Sequence, residues 1–185
     1  EENVLGLIYL VRDPRDVVVS YSKYIDKKID DIVSSITNIN AVAYGGFQGK
    51  KQYPFLLSSW DVHYKTWKSL NVPKLVIRYE ALLNDTRQTI NQIVDFFTQN
   101  YGYSFVNVEA RVNNILKTTS FDQLHEIEKQ RGFNEAPYFF SKKEFVDYFF
   151  RKGTEKQWEK ELTKKQLIKI ESSFGPTMRE LGYLK

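Results

Sequence analysis

The sequence predicts an α/β fold in which helices cover a parallel sheet. Residues 4–11 and 74–78 are short apolar runs, rich in β-branched residues and of strand length. Each run leads through a turn or helix-start signal into an amphipathic segment. Repeated strand-loop-helix units are typical of parallel strands with helices packed on them. With neither a repeat nor a low-complexity linker, we expect one domain over residues 1–185.

Composition indicates a globular protein, since 42% of the 185 residues are hydrophobic and 15% are aromatic. The absence of cysteine excludes a disulfide scaffold and thiolate metal sites, and it favours a cytoplasmic location. No apolar stretch approaches transmembrane length, so no integral membrane segment is predicted. The chain begins Glu1-Glu2-Asn3, without a methionine, and then enters the strand at Val4, so we interpret it as a fragment whose front end is missing.

Charge is unevenly distributed along the chain. The net charge is +4, and residues 151–185 hold nine Lys/Arg against five Asp/Glu, whereas residues 1–150 hold eighteen of each. The surplus is consistent with a solvated basic helix surface, or with an anion site where this segment begins. No nucleic-acid partner is predicted, because the net charge is modest and the sequence contains no motif of a known nucleic-acid-binding domain.

Helix signals follow the first strand. Asp13 suits a cap, Pro14 the first helical position and Asp16 the first turn, which predicts a helix from Pro14 to about Lys28. Residues 29–54 contain several glycines and Pro54, and we expect a long surface excursion there. The next helix is predicted from Phe55 to about Leu70. Its apolar stripe is Phe55, Leu56, Ser59, Trp60, His63, Tyr64 and Trp67.

The remainder of the chain is predicted to be mostly helical. After the strand at 74–78, which Tyr79-Glu80 ends, Asp85 caps a helix with apolar residues at helical spacing. Those residues are Ile90, Ile93, Val94 and Phe97. Two helices follow over about 107–117 and 121–131, ending near Gly132. An irregular aromatic stretch follows over 133–150, where Ser141 and Glu144 suit a capping box. Thr163 and Gln166 form another box, which opens a final helix bent near Gly175-Pro176.

The first strand-helix junction has the features of a phosphate site. Arg12 ends the strand, free amides begin the helix, and Ser20 lies one turn after Asp16 on the same face. A guanidinium donates to two phosphate oxygens at once. The alternative is that Arg12 pairs with Asp13 or Asp16 to hold the turn, while Ser20 only packs.

The same segment resembles a known family. Residues 9–21 are similar to the 3′-phosphate-binding segment of sulfotransferases that use 3′-phosphoadenosine 5′-phosphosulfate (PAPS). The resemblance implies that Arg12 and Ser20 hold the 3′-phosphate. Residues 59–64 resemble the Ser-Trp helix of that family. Residues 76–80 resemble its second sheet strand, which implies that Tyr79 lies near the adenine.

Two later segments extend the resemblance over nearly the whole chain. Thr119, Ser120 and Phe121 match a segment that meets the adenine edge and ring face. Arg151, Lys152 and Gly153, with Trp158 beyond, resemble the Arg-Lys-Gly loop that closes on the 3′-phosphate. From the residues alone, Phe121 and Tyr79 also fit core positions, and Arg151-Lys152 also fits two exposed charges.

The resemblance implies a fold like that of P-loop nucleotide hydrolases, seen here as its C-terminal two-thirds. It further implies sulfuryl transfer from PAPS, without a metal, to a hydroxyl or amine of a small-molecule, glycan or lipid acceptor. The product of the donor is adenosine 3′,5′-bisphosphate (PAP). The alternatives are another nucleotide-phosphate enzyme of the P-loop kinase type, or a non-catalytic domain that retains the fold.

Some family features are not matched. Residues 154–157 lack the Gly-Asp pair that normally precedes the tryptophan, and the segment around Thr163-Lys164 lacks the family's dimer motif, so no dimer of that kind is predicted. The lysine for the 5′-phosphosulfate and the catalytic base are expected upstream of Glu1. His63 is interpreted as structural and His125 as solvated. This chain alone is therefore expected to be inactive or very poor.

Overall fold

The computed structural model describes residues 4–47, 50–133 and 148–185. Its backbone contacts divide the chain into two compact units. The first unit is Glu1–Val11 with Val72–Thr154, and the second is Arg12–Asn71 with Glu155–Lys185. The single domain over residues 1–185 stays a prediction.

Strands and helices are interspersed from Leu7 to Arg78, and the elements described from Tyr79 onward are helices. In chain order the elements are β1 (Leu7–Val11), α1 (Pro14–Tyr24), α2 (Ile29–Ile36), β2 (Val42–Phe47), β3 (Lys50–Leu56), α3 (Trp60–Ser69), β4 (Lys74–Arg78), α4 (Tyr79–Asn84), α5 (Thr86–Tyr101), α6 (Val108–Thr118), α7 (Phe121–Arg131), α8 (Trp158–Glu161) and α9 (Lys164–Glu180).

The first unit is built on a parallel strand pair. β1 and β4 pair from Leu7↔Lys74 to Val11↔Arg78, which confirms the predicted parallel arrangement. A nearly continuous apolar run such as residues 4–11 predicts a strand buried on both faces, and that prediction is wrong for β1. Ile8 is 38% exposed and Leu10 is 56% exposed. Side chains alternate between the two faces of a strand, and in the described residues only the face that carries Val11 is well covered.

Tyr9 on β1 gives a pH-dependent prediction. Burial raises the pKa of Tyr9 to about 12 from its ordinary value of 10.0. The neutral phenol is favoured in the folded chain, so this contribution to stability is present below pH 10.0 and is lost as the pH rises towards 12. Because Tyr9 is partly exposed, we expect a loss of only about 1 kcal/mol. Denaturant unfolding at pH 9 and at pH 11.5 measures this loss of stability. In Tyr9→Phe, the contribution of Tyr9 to the alkaline loss should be absent. An alkaline loss in that variant equal to that of the unaltered chain would contradict the role given to Tyr9.

The core of the second unit is formed by α1, α2 and α9. Its buried members are Val18, Ile32, Val33, Ile36, Ile170, Phe174 and Met178. The predicted surface excursion over residues 29–54 is therefore wrong. Ile29, Ile32 and Ile36 recur at helical spacing and give α2 an apolar face, and an antiparallel β2–β3 hairpin follows.

Two predicted helix boundaries are also wrong. α1 ends at Tyr24 rather than near Lys28, and Asp26 then takes a positive φ of 55°. The helix predicted from Phe55 begins only at Trp60, because β3 pairs as far as Leu56. In the later part of the predicted stripe, Ser59 and Tyr64 are buried, whereas Trp67 is 40% exposed.

Local capping signals gave the correct helix starts elsewhere. Asp13 accepts a hydrogen bond from the amide of Arg15, and Asp85 accepts one from Gln88. The Thr163–Gln166 capping box is present, and α9 continues through Pro176. The two short helices are confirmed as α6 and α7, with Gly132 following α7.

The proposed Ser141–Glu144 box lies outside the described residues. Among the helices that are described, none is both long and apolar enough to cross a membrane.

Candidate functional site

In the second unit, the turn before α1 is held by Arg15. Its guanidinium donates to Asp13 at 2.7 Å and to Glu171 at 2.7 Å. Burial acts to lower the pKa of Arg15, but the hydrogen bonds and charges of Asp13 and Glu171 together raise it above its ordinary value. The sequence considered Arg12 as a partner of Asp13, and the structure shows Arg15 paired with Asp13.

Asp16 connects α1 to the start of the C-terminal segment. Its carboxylate is 1% exposed and accepts hydrogen bonds from the amides of Lys156 at 2.7 Å and Trp158 at 3.1 Å. Burial is the largest influence and raises the pKa of Asp16, against the opposing effect of these amides and of Arg12. The sequence had indicated Asp16 as a first-turn acid and as a possible partner of Arg12, and the two amides it binds are not visible there.

Ser20 lies on the same face of α1 as Asp16, and Arg12 precedes the helix, four residues before Asp16. The Arg12 guanidinium is 3.7 Å from the Asp16 carboxylate, so the ion pair considered as an alternative is present, at a distance longer than a hydrogen bond. Ser20 is partly exposed one turn further along.

In the first unit, the two segments expected to contact the adenosine bisphosphate come together. Ser120 caps α7 by accepting from the amide of Gln123, and Phe121 begins the helix. Gly153 lies against the Phe121 ring with φ +57°, and a Cβ placed on it would be 2.6 Å from Cε2 of that ring. Residues 32 positions apart in sequence are thus in direct contact.

Arg151 and Lys152 precede this contact and are half-buried and exposed, respectively. Tyr79 is half-buried at the start of α4, while Thr119 is exposed and donates its hydroxyl to the carbonyl of Ile115.

Glu128 is a residue that the sequence reading missed. This carboxylate is 7% exposed and accepts from the amides of Phe149 at 2.6 Å and Phe150 at 2.9 Å, directly before Arg151. Glu128 is seven residues after Phe121, two turns along the same face of α7. That spacing is a weak signal, and the amides it binds are not visible in sequence.

The two histidines differ from each other. His63 accepts from the indole N–H of Trp67 at 3.3 Å within α3, in keeping with a structural role. The expectation that His125 is solvated is wrong, because its ring is stacked on Phe121 with an interplanar angle of 9° and meets Tyr148 edge-on at 4.9 Å. Its Nδ1 is buried without a hydrogen-bond partner in the described part of the chain.

Comparison with known proteins supplies the family. A family model described as the sulfotransferase domain matches residues 2–182. The chain belongs to the sulfotransferase domain family. This confirms the resemblance drawn from the sequence, and it does not favour the kinase-type alternative.

Sulfotransferases of known name are moderately similar to the chain. Sulfotransferase 2A2 of Rattus norvegicus is 29% identical over 184 residues, covering 93% of this chain and 56% of the relative. The 3-alpha-hydroxysteroid sulfotransferase of Cavia porcellus is 28% identical, covering 85% of this chain and 50% of the relative. The chain thus spans about half the length of the sulfotransferases it matches.

Solved structures confirm the α/β fold. The mouse sulfotransferase SULT7A1 in complex with PAP has a TM-score of 0.63 at 20% identity, covering 94% of this chain and 58% of that one. Retinol dehydratase in complex with androsterone and PAP has a TM-score of 0.62 at 20% identity, covering 94% of this chain and 47% of that one. At this identity the likeness establishes the fold of the sulfotransferase domain.

Proposed function

We propose that this sulfotransferase domain binds the 3′-phosphoadenosine part of PAPS and serves transfer of a sulfuryl group to an acceptor hydroxyl or amine. The observation that carries the proposal is the packing of Gly153 on Phe121. The sequence assigned both residues to one ligand, and their contact supports that assignment. Solved relatives of the same fold are described as PAP complexes, which also supports it.

The proposal gives each donor-site residue a physical role. Arg12 and Ser20 bind the 3′-phosphate, the arginine through charge-assisted hydrogen bonds. Arg151 and Lys152 neutralise the same phosphate, and Gly153 lets backbone amides approach it closely. The adenine stacks on Phe121, and the remaining contacts to its edge come from Tyr79, Thr119 and Ser120.

The proposed chemistry is an in-line displacement at sulfur. The acceptor oxygen or nitrogen forms a bond to sulfur while the bond from sulfur to the 5′-phosphate oxygen breaks, PAP leaves with that electron pair, and the acceptor proton passes to a base. The residues assigned here bind and orient the donor, which is how positioning lowers a group-transfer barrier. They are not assigned the proton transfer.

We propose a small-molecule acceptor and a cytoplasmic location. Several similar sulfotransferases are named for hydroxysteroids, which supports a hydroxyl on a compact apolar molecule. One relative from Arabidopsis thaliana is named cytosolic sulfotransferase 17, which supports the location.

Substitution of Arg12 tests the proposed donor site. Arg12→Ala is expected to weaken PAP binding by about 1.5–3 kcal/mol, the cost of losing a charge-assisted contact. Asp16 keeps its two amide partners in this variant, so the fold should persist, which a thermal melt checks. Isothermal titration of PAP measures the loss.

Arg179→Ala is the matched control, because Arg179 is an exposed arginine of the same unit to which no donor role is assigned. The control should bind PAP like the unaltered chain. Equal affinities for Arg12→Ala and the control would show that Arg12 is structural only.

A further inference from the structure

We propose that Glu128 and Asp16 are positioning residues that fix the two ends of the Arg151–Gly153 segment for 3′-phosphate binding. The inference deepens the proposed function and rests on it. Neither carboxylate is assigned a contact with the donor. Each acts through the backbone of the segment that carries the cations.

The N-terminal end of the segment is held by Glu128. Its two carboxylate oxygens bind two consecutive amides, Oε1 that of Phe149 and Oε2 that of Phe150. These amides belong to the residues directly before Arg151. A carboxylate removed from water needs such partners, and here each oxygen has one.

The C-terminal end is held by Asp16 in the same manner. Its Oδ2 accepts from the amide of Lys156 and its Oδ1 from that of Trp158. The Trp158 ring also lies 4.0 Å from the Arg15 guanidinium, which adds a cation–π contact at this end. The anchored residues begin three positions after Gly153.

Anchoring both ends has a consequence for affinity. Within its own unit, each carboxylate fixes backbone close to the segment, so that backbone has fewer conformations to lose when an anion arrives. Each carboxylate is also on a helix that carries a proposed donor contact. Asp16 is one turn from Ser20 on α1, and Glu128 is two turns from Phe121 on α7. Helical rigidity therefore relates each end of the segment to a donor contact.

The test uses substitutions that preserve size but remove charge. In Glu128→Gln and Asp16→Asn, an amide NH₂ replaces one carboxylate oxygen. This NH₂ faces a backbone N–H and cannot accept from it, so each variant loses one of the two hydrogen bonds that hold the backbone, here called tethers. The matched controls are Glu126→Gln, an exposed acid on the same helix as Glu128, and Asp31→Asn, an exposed acid in the second unit. Each protein is titrated calorimetrically with PAP and with 5′-AMP, which lacks the 3′-phosphate.

We expect Glu128→Gln and Asp16→Asn each to weaken PAP binding roughly fivefold to thirtyfold, because a charge-assisted tether is lost. Their affinity for 5′-AMP should change by less than about twofold, since that ligand does not use the Arg151–Gly153 segment. Adding Glu128→Gln to a chain that already carries Arg151→Ala and Lys152→Ala should cause little further loss, because the group it positions is gone.

Three results would overturn the inference. The first is that both variants bind PAP as tightly as their controls do. The second is that the variants lose the same factor of affinity for PAP and for 5′-AMP, which indicates a structural role only. The third result comes from hydrogen exchange of the unaltered chain. The amides of residues 149, 150, 156 and 158 should be protected before PAP is added. Fast exchange at these amides would contradict their hydrogen bonds to Glu128 and Asp16. An unaltered chain that does not bind PAP is a different pattern, which refutes the proposed function itself.

Discussion

Replacing Phe174 with alanine is expected to lower the free energy of unfolding by about 3–5 kcal/mol, the usual cost of truncating a buried phenylalanine. Phe174 is 1% exposed in the middle of α9 and belongs to the cluster that joins α9 to α1 and α2. Its ring also lies 5.3 Å from that of Trp60. The variant leaves a cavity between α9, α1 and α2. The remaining side-chain contacts hold these helices in place, so they cannot close the cavity. Urea denaturation measures the change.

Ile168→Ala on the same helix is the matched control. Ile168 is also a large apolar residue but is 59% exposed, so its truncation should cost less than about 1 kcal/mol. Similar losses for the two variants would contradict the assignment of the second-unit core to the face of α9 that carries Phe174.

Gly153→Ala is expected to reduce PAP affinity by at least about tenfold, because it disturbs both the Arg-Lys-Gly segment and the Phe121 ring. Gly153 has φ +57°, a conformation that costs an L-residue about 1 kcal/mol. The added Cβ would also overlap the Phe121 ring, so the ring or the segment must move. Calorimetric titration with PAP measures the result.

Gly102→Ala separates the two causes. Gly102 has a similar φ of +68° at the end of α5, but no atom of the described residues lies within 4 Å of an added Cβ, so the substitution introduces backbone strain without a ring overlap. We expect this control to lose stability and to bind PAP as before. If both variants bound PAP equally well, the contact between Gly153 and Phe121 would have no part in donor binding.

The parts of the fold that the sequence predicted correctly depend on local signals. Asp13, Asp85 and the Thr163–Gln166 box begin their helices through bonds to amides two or three residues away, so nearby residues suffice to predict them. The region from 29 to 56 was predicted wrongly for the opposite reason. Its glycines and Pro54 suggested a loop, but the pairing of β2 with β3 outweighs local propensity there.

The site shows the same division. Arg12 and Phe121 were recognised from motifs along the chain, and the ring contact of His125 with Phe121 has the four-residue spacing of a helix, which could have been used. The contact of His125 with Tyr148 and the amides bound by Glu128 depend on tertiary structure. A buried carboxylate that binds a distant backbone has the same appearance in sequence as a solvated one.

The most direct test of the central claim is to titrate the unaltered chain with PAP and with 5′-AMP under one set of buffer and salt conditions. The two ligands differ by the 3′-phosphate, the group assigned to Arg12, Ser20 and the Arg151–Gly153 segment. We predict that PAP binds at least about tenfold more tightly, the minimum for one charge-assisted phosphate contact. Equal affinity for the two ligands would contradict the account.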